Sequence, residues 1–94
     1  MPGQFQLYQN YPNPFNPNTI IRYNLPKTSK VCLTIFSSSG KKIISLVNDK
    51  QSSGQKTVFW NGLDNQEQRV PSGLYFYRLQ TEMFFQVRKM IILK

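Results

Sequence analysis

The side chains that could carry chemistry are few in this 94-residue chain. It has no histidine, and Cys32 is the single cysteine, so catalytic triads, thiolate–imidazole pairs and Cys/His zinc sites are excluded. The carboxylates are Asp49, Asp64, Glu67 and Glu82. Asp64 and Glu67 lie on one short stretch, whereas glycoside hydrolysis needs two carboxylates opposed across a sugar. We therefore expect neither enzymatic activity nor a cofactor.

The polar stretch 61–67 (NGLDNQE) has two interpretations. Carboxylate and amide oxygens are ligands for Ca²⁺, which makes Asp64, Asn65 and Glu67 weak calcium candidates, although the EF-hand spacing is missing. The alternative is local turn chemistry, in which Asp and Asn side chains accept hydrogen bonds from nearby backbone N–H groups. Both interpretations place the stretch in a connection between strands.

The formal net charge is +8, from 12 Lys and Arg against 4 Asp and Glu. These cations are scattered along the chain, and no dense basic run or recognition helix accompanies them, so we do not expect nucleic-acid binding. Solubility and the protection of strand edges by lysine explain the pattern, with attraction to an anionic surface as the alternative. Cys32 lies in the apolar run 31–36, where a half-buried strand residue is expected.

Short segments of alternating hydrophobicity, separated by turn residues, indicate the elements that must position these groups. The predicted strands are 5–7, 19–25, 31–36, 42–47, 57–60, 74–81 and 84–94, with a polar loop at 48–54. The faces expected in the core carry Ile21, Tyr23 and Leu25, then Val31, Leu33 and Ile35, then Tyr75, Tyr77 and Leu79. This spacing predicts an all-β fold, an immunoglobulin-like antiparallel β-sandwich of about seven strands over residues 5–94. Residues 1–4 are interpreted as a linker or cloning remnant.

Several apolar side chains do not fit a core on one face of each strand. With the core faces above, we expect outward positions for Phe36, Phe59, Phe76, Phe84, Met90 and Ile92. Such an excess indicates a covered surface or a partner site. The alternative is that β-bulges shift the register, or that loops cover these side chains.

A series of blocks, in order, resembles the C-terminal sorting domain family of the type IX secretion system. The first is the proline-spaced stretch 11–21 (YPNPFNPNTII), followed by 39–43 (SGKKI) and 60–65 (WNGLDN). The last two are 70–77 (VPSGLYFY) and 89–94 (KMIILK). The chain departs from the family pattern at 66–68 and 81–83, where glycines are usual, which affects two turns.

The resemblance implies a sorting role. Such a domain directs an upstream cargo protein through the periplasm and outer membrane to the cell surface or medium, and an outer-membrane translocon recognises it. The implied recognition residues are Lys89, Met90, Ile91, Ile92, Leu93 and Lys94. The implied structural residues are Pro12, Pro14, Phe15, Pro17, Trp60, Gly62, Asp64, Gly73 and Tyr75.

Two further expectations accompany this interpretation. Strand addition to an exposed edge is the expected mode of recognition, and edge-to-edge dimers are expected for the isolated domain. The alternative function is a structural or carbohydrate-binding immunoglobulin-like module of a surface protein, because sandwiches host many functions.

Overall fold

Alternating apolar side chains give each strand one apolar face, and two sheets pack together so that these faces are buried. The computed structural model describes residues 3–93. Its strands are β1 (Gln6–Leu7), β2 (Thr19–Leu25), β3 (Ser29–Ser37), β4 (Lys42–Gln51), β5 (Gly54–Trp60), β6 (Gly73–Gln80) and β7 (Phe85–Ile92). They form a three-stranded sheet, β1-β2-β5, and a four-stranded sheet, β4-β3-β6-β7. The predicted seven-strand immunoglobulin-like sandwich is confirmed.

The core between the two sheets contains the faces that alternation predicted. Its largest fully buried side chains include Trp60, Tyr23, Tyr77 and Phe15. All nine residues expected on the inner faces of β2, β3 and β6 are buried: Ile21, Tyr23, Leu25, Val31, Leu33, Ile35, Tyr75, Tyr77 and Leu79. Burial of such large side chains stabilises the fold by about 1.5–3 kcal/mol each.

The fourth strand is longer than the sequence pattern indicated. β4 continues through the expected polar loop to Gln51, which pairs with Ser29. Here the strand is held by backbone pairing at a sheet edge, so its side chains need not alternate. The same strand carries register shifts opposite Leu33/Thr34 and Ile35/Phe36. In the constant-type arrangement the fourth strand joins the first sheet, whereas β4 pairs with β3 here.

The outward positions expected for Met90 and Ile92 are wrong. Met90 is fully buried and Ile92 is 5% exposed, because the even-numbered residues of β7 face the other sheet. The outward position expected for Phe84 is also wrong. Phe84 packs against the core and stacks on Phe5, with ring centroids 5.3 Å apart.

The remaining aromatics expected to face outward, Phe36, Phe59 and Phe76, do so. Phe59 is 60% exposed on β5. Phe36 and Phe76 pair across β3 and β6 on the face of the four-stranded sheet that points away from the core, and both are half-buried. We call this side of the sheet the outer face.

The segment between β1 and β2 reaches the edge of the other sheet and then returns to its own. Gln6 and Leu7 pair with β2, but Phe15 forms a parallel bridge with Ile92 at the free edge of β7. The peptide bonds preceding Pro12, Pro14 and Pro17 are cis. Within residues 3–93 there is no helix of the length and apolarity that a membrane span requires.

Candidate functional site

Four of the five sequence blocks, which are far apart along the chain, meet at one end of the sandwich. We call this region the motif cluster, defined as residues 12–17, 60–65, 70–75 and 90–93. Its members contact one another through backbone hydrogen bonds, aromatic contacts and one close backbone approach. The cluster is therefore a structural unit built around the final residues of β7.

Backbone hydrogen bonds tie the proline-spaced segment to β7. The N–H of Phe15 donates to the carbonyl of Ile91 at 3.1 Å, and the N–H of Leu93 donates to the carbonyl of Phe15 at 2.9 Å. The side chain of Asn13 accepts a hydrogen bond from the N–H of Ile91 at 3.0 Å. These contacts satisfy edge groups that strand addition would otherwise use.

Trp60 is the centre of the cluster. Its ring lies 5.8 Å from that of Phe15 and 6.2 Å from that of Tyr75, centroid to centroid, with tilted geometries that aromatic pairs favour. The indole Nε1–H donates to the carbonyl of Leu63 at 2.9 Å, so the polar atom of this buried ring is satisfied. Trp60 thus holds the proline segment, the 61–72 connection and β6 together.

Gly62 fits where no other residue would fit easily. Its φ is +80°, and a Cβ at this position would lie 3.2 Å from the carbonyl oxygen of Pro17. The carbonyl of Gly62 also accepts a hydrogen bond from the N–H of Val70 at 3.0 Å, which closes the connection. The glycine therefore allows the proline segment and the 61–72 connection to touch.

Tyr75 fixes the entry into β6. Its hydroxyl donates to the carbonyl of Pro71 at 2.6 Å, the contact known as a tyrosine corner in immunoglobulin-like sandwiches. Gly73, which begins the strand, has a φ of +143°. Burial raises the pKa of the Tyr75 hydroxyl, because the phenolate form is less well solvated.

The polar stretch 61–67 shows turn chemistry. The carboxylate of Asp64 accepts hydrogen bonds from the N–H groups of Gln66 and Gln68, both at 2.9 Å. Glu67 adopts a φ of +62° within this turn, and the N–H of Asn65 donates to Ile43 at 3.3 Å. No group of three or more His, Cys, Asp or Glu side chains suited to a metal ion occurs within residues 3–93. The geometry supports the turn interpretation for Asp64, whereas Asn65 and Glu67 take part through their backbone N–H groups.

Arg78 on the outer face was not singled out by sequence reasoning. Its guanidinium carbon lies 4.8 Å from the ring centroid of Phe36 and 5.9 Å from that of Phe85, within reach of cation–π contact. Its Nε is buried and has no hydrogen-bond partner among the described residues. The signal for this arrangement is strand register, which places Thr34, Arg78 and Val87 side by side.

Two buried tyrosines have strongly raised pKa values. Burial raises the pKa of Tyr23 to about 12, with a contribution from the nearby charge of Asp49, against the hydrogen bond to Gln51. Burial likewise raises the pKa of Tyr77 to about 12. Both hydroxyls serve packing and hydrogen bonding.

Comparison with known proteins places the chain in a family. A family model described as the FlgD Ig-like domain matches residues 17–83. The chain belongs to this family. The match covers Trp60, Gly62 and Tyr75, but it ends before β7 and begins after Phe15. The two segments that bind each other at the edge of this FlgD Ig-like domain therefore lie outside the matched range.

Solved structures give the same fold. The chain is similar to part of PorZ, described as an essential bacterial surface component of the type IX secretion system of Porphyromonas gingivalis. The TM-score is 0.64 and the identity 19%, and the match covers 94% of this chain and 11% of PorZ. It is similar to part of dimeric latent PorU from Porphyromonas gingivalis, with a TM-score of 0.73 and 17% identity. This match covers 93% of this chain and 9% of PorU. The chain is also similar to FlgD from P. aeruginosa, with a TM-score of 0.62 and 21% identity. This match covers 79% of this chain and 57% of FlgD.

These likenesses establish the fold of this FlgD Ig-like domain and no more, because the identities are low. The chain spans about a tenth of the length of PorZ and PorU, and just over half of FlgD. No curated protein sequence matches it.

The predicted recognition residues of this FlgD Ig-like domain divide into two sets. Ile91 is 42% and Leu93 51% exposed, and Lys89 is also exposed. Met90 and Ile92 are buried in the core. Lys94 lies outside the described residues. A partner that meets the folded domain therefore contacts alternate residues of the terminal segment.

Proposed function

We propose that this FlgD Ig-like domain is a C-terminal sorting domain, which directs an upstream cargo protein through the type IX secretion system to the cell surface or medium. The observation that carries the proposal is the motif cluster. Four of the five blocks that resemble the sorting signature, separated by tens of residues in sequence, converge on the final residues of β7 and hold them at the surface.

The similar structures support this role. PorZ is an essential bacterial surface component of the type IX secretion system, and a part of it has the same fold as this domain. A surface or secreted destination for the parent of this chain belongs to the same proposal. Polar side chains of the described residues take part in turns and apolar ones in the core. We therefore propose a binding role without catalysis.

Recognition is proposed to act on the folded domain through the outward residues Lys89, Ile91 and Leu93, and Lys94, the next residue in the sequence, belongs to the same proposed set. Met90 and Ile92 hold the strand in place by packing in the core. Recognition and folding therefore use different side chains, since Lys89 and Ile91 lie on the face of β7 opposite to Met90 and Ile92.

The test is a reporter protein fused upstream of residues 5–94 in a host with a type IX system. A triple variant, Lys89→Ser, Ile91→Ser and Leu93→Ser, removes the outward side chains and retains the core. We expect the intact fusion to reach the surface or medium and the triple variant to accumulate inside the cell.

The matched control changes the other face of the same strand conservatively, with Met90→Leu and Ile92→Val. These substitutions cost about 1 kcal/mol each in a packed core and leave the outward side chains unchanged. Export of this control should match that of the intact fusion. Export of a folded triple variant at the level of the intact fusion would contradict the proposed reading of the terminal strand.

A structural module is the second candidate function, and membership of the FlgD Ig-like family favours it. A carbohydrate-binding version of this module would use the outer-face aromatics Phe36 and Phe76. In that case, the fusion would remain inside the cell with or without the terminal side chains, and the purified domain would bind glycans on an array.

A further inference from the structure

The free edge of β7 divides into a covered half and an open half. In the pairing of β6 with β7, the N–H of Thr81 donates to the carbonyl of Phe84, which starts an alternation along the hairpin. Even-numbered residues of β7 therefore direct their backbone groups toward β6, and odd-numbered residues direct theirs away from the sheet. The outward groups belong to Phe85, Val87, Lys89 and Ile91.

Contacts from the N-terminal segment cover the second half of this edge. The side-chain amide of Gln9 donates to the carbonyl of Lys89 at 2.8 Å. Asn13 and Phe15 satisfy both the N–H and the carbonyl of Ile91. Within residues 3–93, no hydrogen bond reaches the outward N–H and carbonyl groups of Phe85 and Val87, or the N–H of Lys89.

The open half has the side chains of a binding surface. Phe85 is 62% and Val87 44% exposed. A groove of about 410 Å³ runs beside the edge, and its lining residues are Gln9, Phe76, Gln86, Val87, Arg88 and Lys89. Free backbone groups next to apolar side chains are the combination that strand addition uses.

The opposite edge of the same sheet is built differently. β4 has two register shifts against β3, and it presents Lys42 and Lys50 to solvent. Bulges and lysines are the usual protection of an edge against pairing. The register between β6 and β7 is unbroken from Gly73 to Gln80, and no bulge twists the open half of β7 away.

The charged side chains on the outer face of the four-stranded sheet are all of one sign. Register places five charged side chains on the outer face of the four strands, and all are cations: Lys30, Lys42, Lys50, Arg78 and Lys89. On the opposite face of β7, Arg88 lies next to the groove, with its Nε bonded to the carbonyl of Leu7 at 2.7 Å. Glu82 belongs to the turn before β7 and not to the strand.

We propose that the backbone edge from Phe85 to Lys89 accepts an extended acidic segment of a partner protein as an added strand. The partner's backbone pairs with Phe85, Val87 and the N–H of Lys89, and its carboxylates face Arg78 and Lys89. Gln9 marks the end of the site, because from there the chain's own N-terminal segment occupies the edge. A second copy of this chain is a poorer occupant, since it carries the same +8 charge.

This inference deepens the proposed function, on which it rests for the identity of the partner as part of the secretion apparatus. It moves the backbone contact upstream of the residues that the sequence indicated. The terminal residues then contribute side chains, and the open half contributes the hydrogen-bonding edge.

The binding test uses a synthetic seven-residue peptide that alternates valine and glutamate, with amide chemical shifts of the folded domain as the readout. We expect shifts at Phe85, Val87 and Lys89, no shift along β4, and loss of binding when the peptide's alternate amides are N-methylated. The domain is unchanged in that comparison, so a folding defect does not enter. Absence of shifts at these residues would overturn the inference, as would shifts that depend on domain concentration without peptide, because a second copy would then fill the edge.

Charge reversal supplies the matched variants. Lys89→Glu is expected to weaken binding of the glutamate peptide and to favour a peptide with lysine in place of glutamate. Lys50→Glu makes the same change on the opposite edge of the sheet and should leave binding unchanged. Equal effects of the two variants would show non-specific attraction and would overturn the inference.

The cellular test separates this inference from the proposed function. In the reporter fusion, Val87→Pro removes an outward N–H that the fold does not use. If both this variant and the triple variant at residues 89, 91 and 93 lose export, both proposals are supported. If the triple variant is retained and a folded Val87→Pro is exported, only the edge site is wrong. Export of both contradicts the proposed function itself.

Discussion

In the motif cluster, Gly62 allows one close backbone approach. It combines a positive φ with the nearby carbonyl of Pro17. Gly40 also has a positive φ, +92°, but a Cβ there would meet nothing within 4 Å. The two glycines therefore separate conformational strain from steric contact.

Substitution of these glycines by alanine is expected to give unequal losses of stability. Gly40→Ala should lower the free energy of unfolding by about 1–2 kcal/mol, the usual cost of a left-handed conformation for a residue with a Cβ. Gly62→Ala should cost about 1 kcal/mol more, because the new methyl group forces Pro17 to move. Urea denaturation of both variants measures the difference, and equal losses would show that the Pro17 contact is unimportant.

The buried tyrosines predict a loss of stability in alkali. The pKa values of Tyr23 and Tyr77 are raised from 10 to about 12 in the folded state, so the unfolded chain releases these protons first. Stability is therefore unaffected below pH 10 and falls between pH 10 and 12, by up to about 1.4 kcal/mol per pH unit for each tyrosine. Urea denaturation across this range measures the slope. Tyr23→Phe should reduce it by about half, and an unchanged slope would assign the effect to other groups.

At the scale of the element, β7 has one free edge with two different halves. Its second half is bonded to the proline-spaced segment, and its first half is open. Its inner face packs in the core while its outer face carries Phe85, Val87 and Ile91, and the exposed Leu93 follows the strand. One strand thus combines anchoring, side-chain display and a backbone edge.

Hydrogen exchange along β7 should report these two halves. The amides of Phe85, Val87 and Lys89 are expected to exchange fast, and those of Ile91 and Leu93 slowly, because only the latter are bonded. Asn13→Ala should speed exchange at Ile91 by about tenfold, the equivalent of roughly 1.4 kcal/mol for one hydrogen bond. The amide of Leu93 bonds to Phe15 and serves as the internal control. Uniform protection along β7 would contradict the division.

The limits of sequence reasoning are visible on this same strand. The inner faces of β2, β3 and β6 were predictable, because polar residues alternate with apolar ones there. On β7 both faces are apolar near the end, and a shift of one residue exchanges the faces, so Met90 and Ile92 were placed outside. The extension of β4 to Gln51 was missed for a related reason, since its last residues are polar and held by backbone pairing.

For the molecule as a whole, the sequence blocks indicated a family resemblance but not their meeting place. The contact of Phe15 with Ile91, and that of Trp60 with both Phe15 and Tyr75, joins residues that no local pattern connects. The turn role of Asp64 was predictable as one of two interpretations, because its hydrogen bonds are to residues close by in the sequence. The cation–π position of Arg78 required strand register, which only the complete sheet provides.

Deletion of residues 89–94 is expected to unfold the domain. It removes Met90 and Ile92 from the core, at about 1.5–3 kcal/mol each, and it also removes pairing with β6. That loss is comparable with the total stability of a small domain, about 5–15 kcal/mol. Near-ultraviolet circular dichroism should show loss of tertiary structure, and the Lys89, Ile91 and Leu93 triple variant should retain it. A folded deletion variant would contradict the anchoring role of these two residues.

The parallel bridge between Phe15 and Ile92 also gives the domain a mechanical property. The two segments run in the same direction, so a force that pulls the two ends of the chain apart slides them past each other. Their hydrogen bonds are then loaded together in shear, whereas the hairpin of β6 and β7 would peel open one bond at a time. Tension applied between the two ends of the chain therefore loads the bonds of this edge in shear.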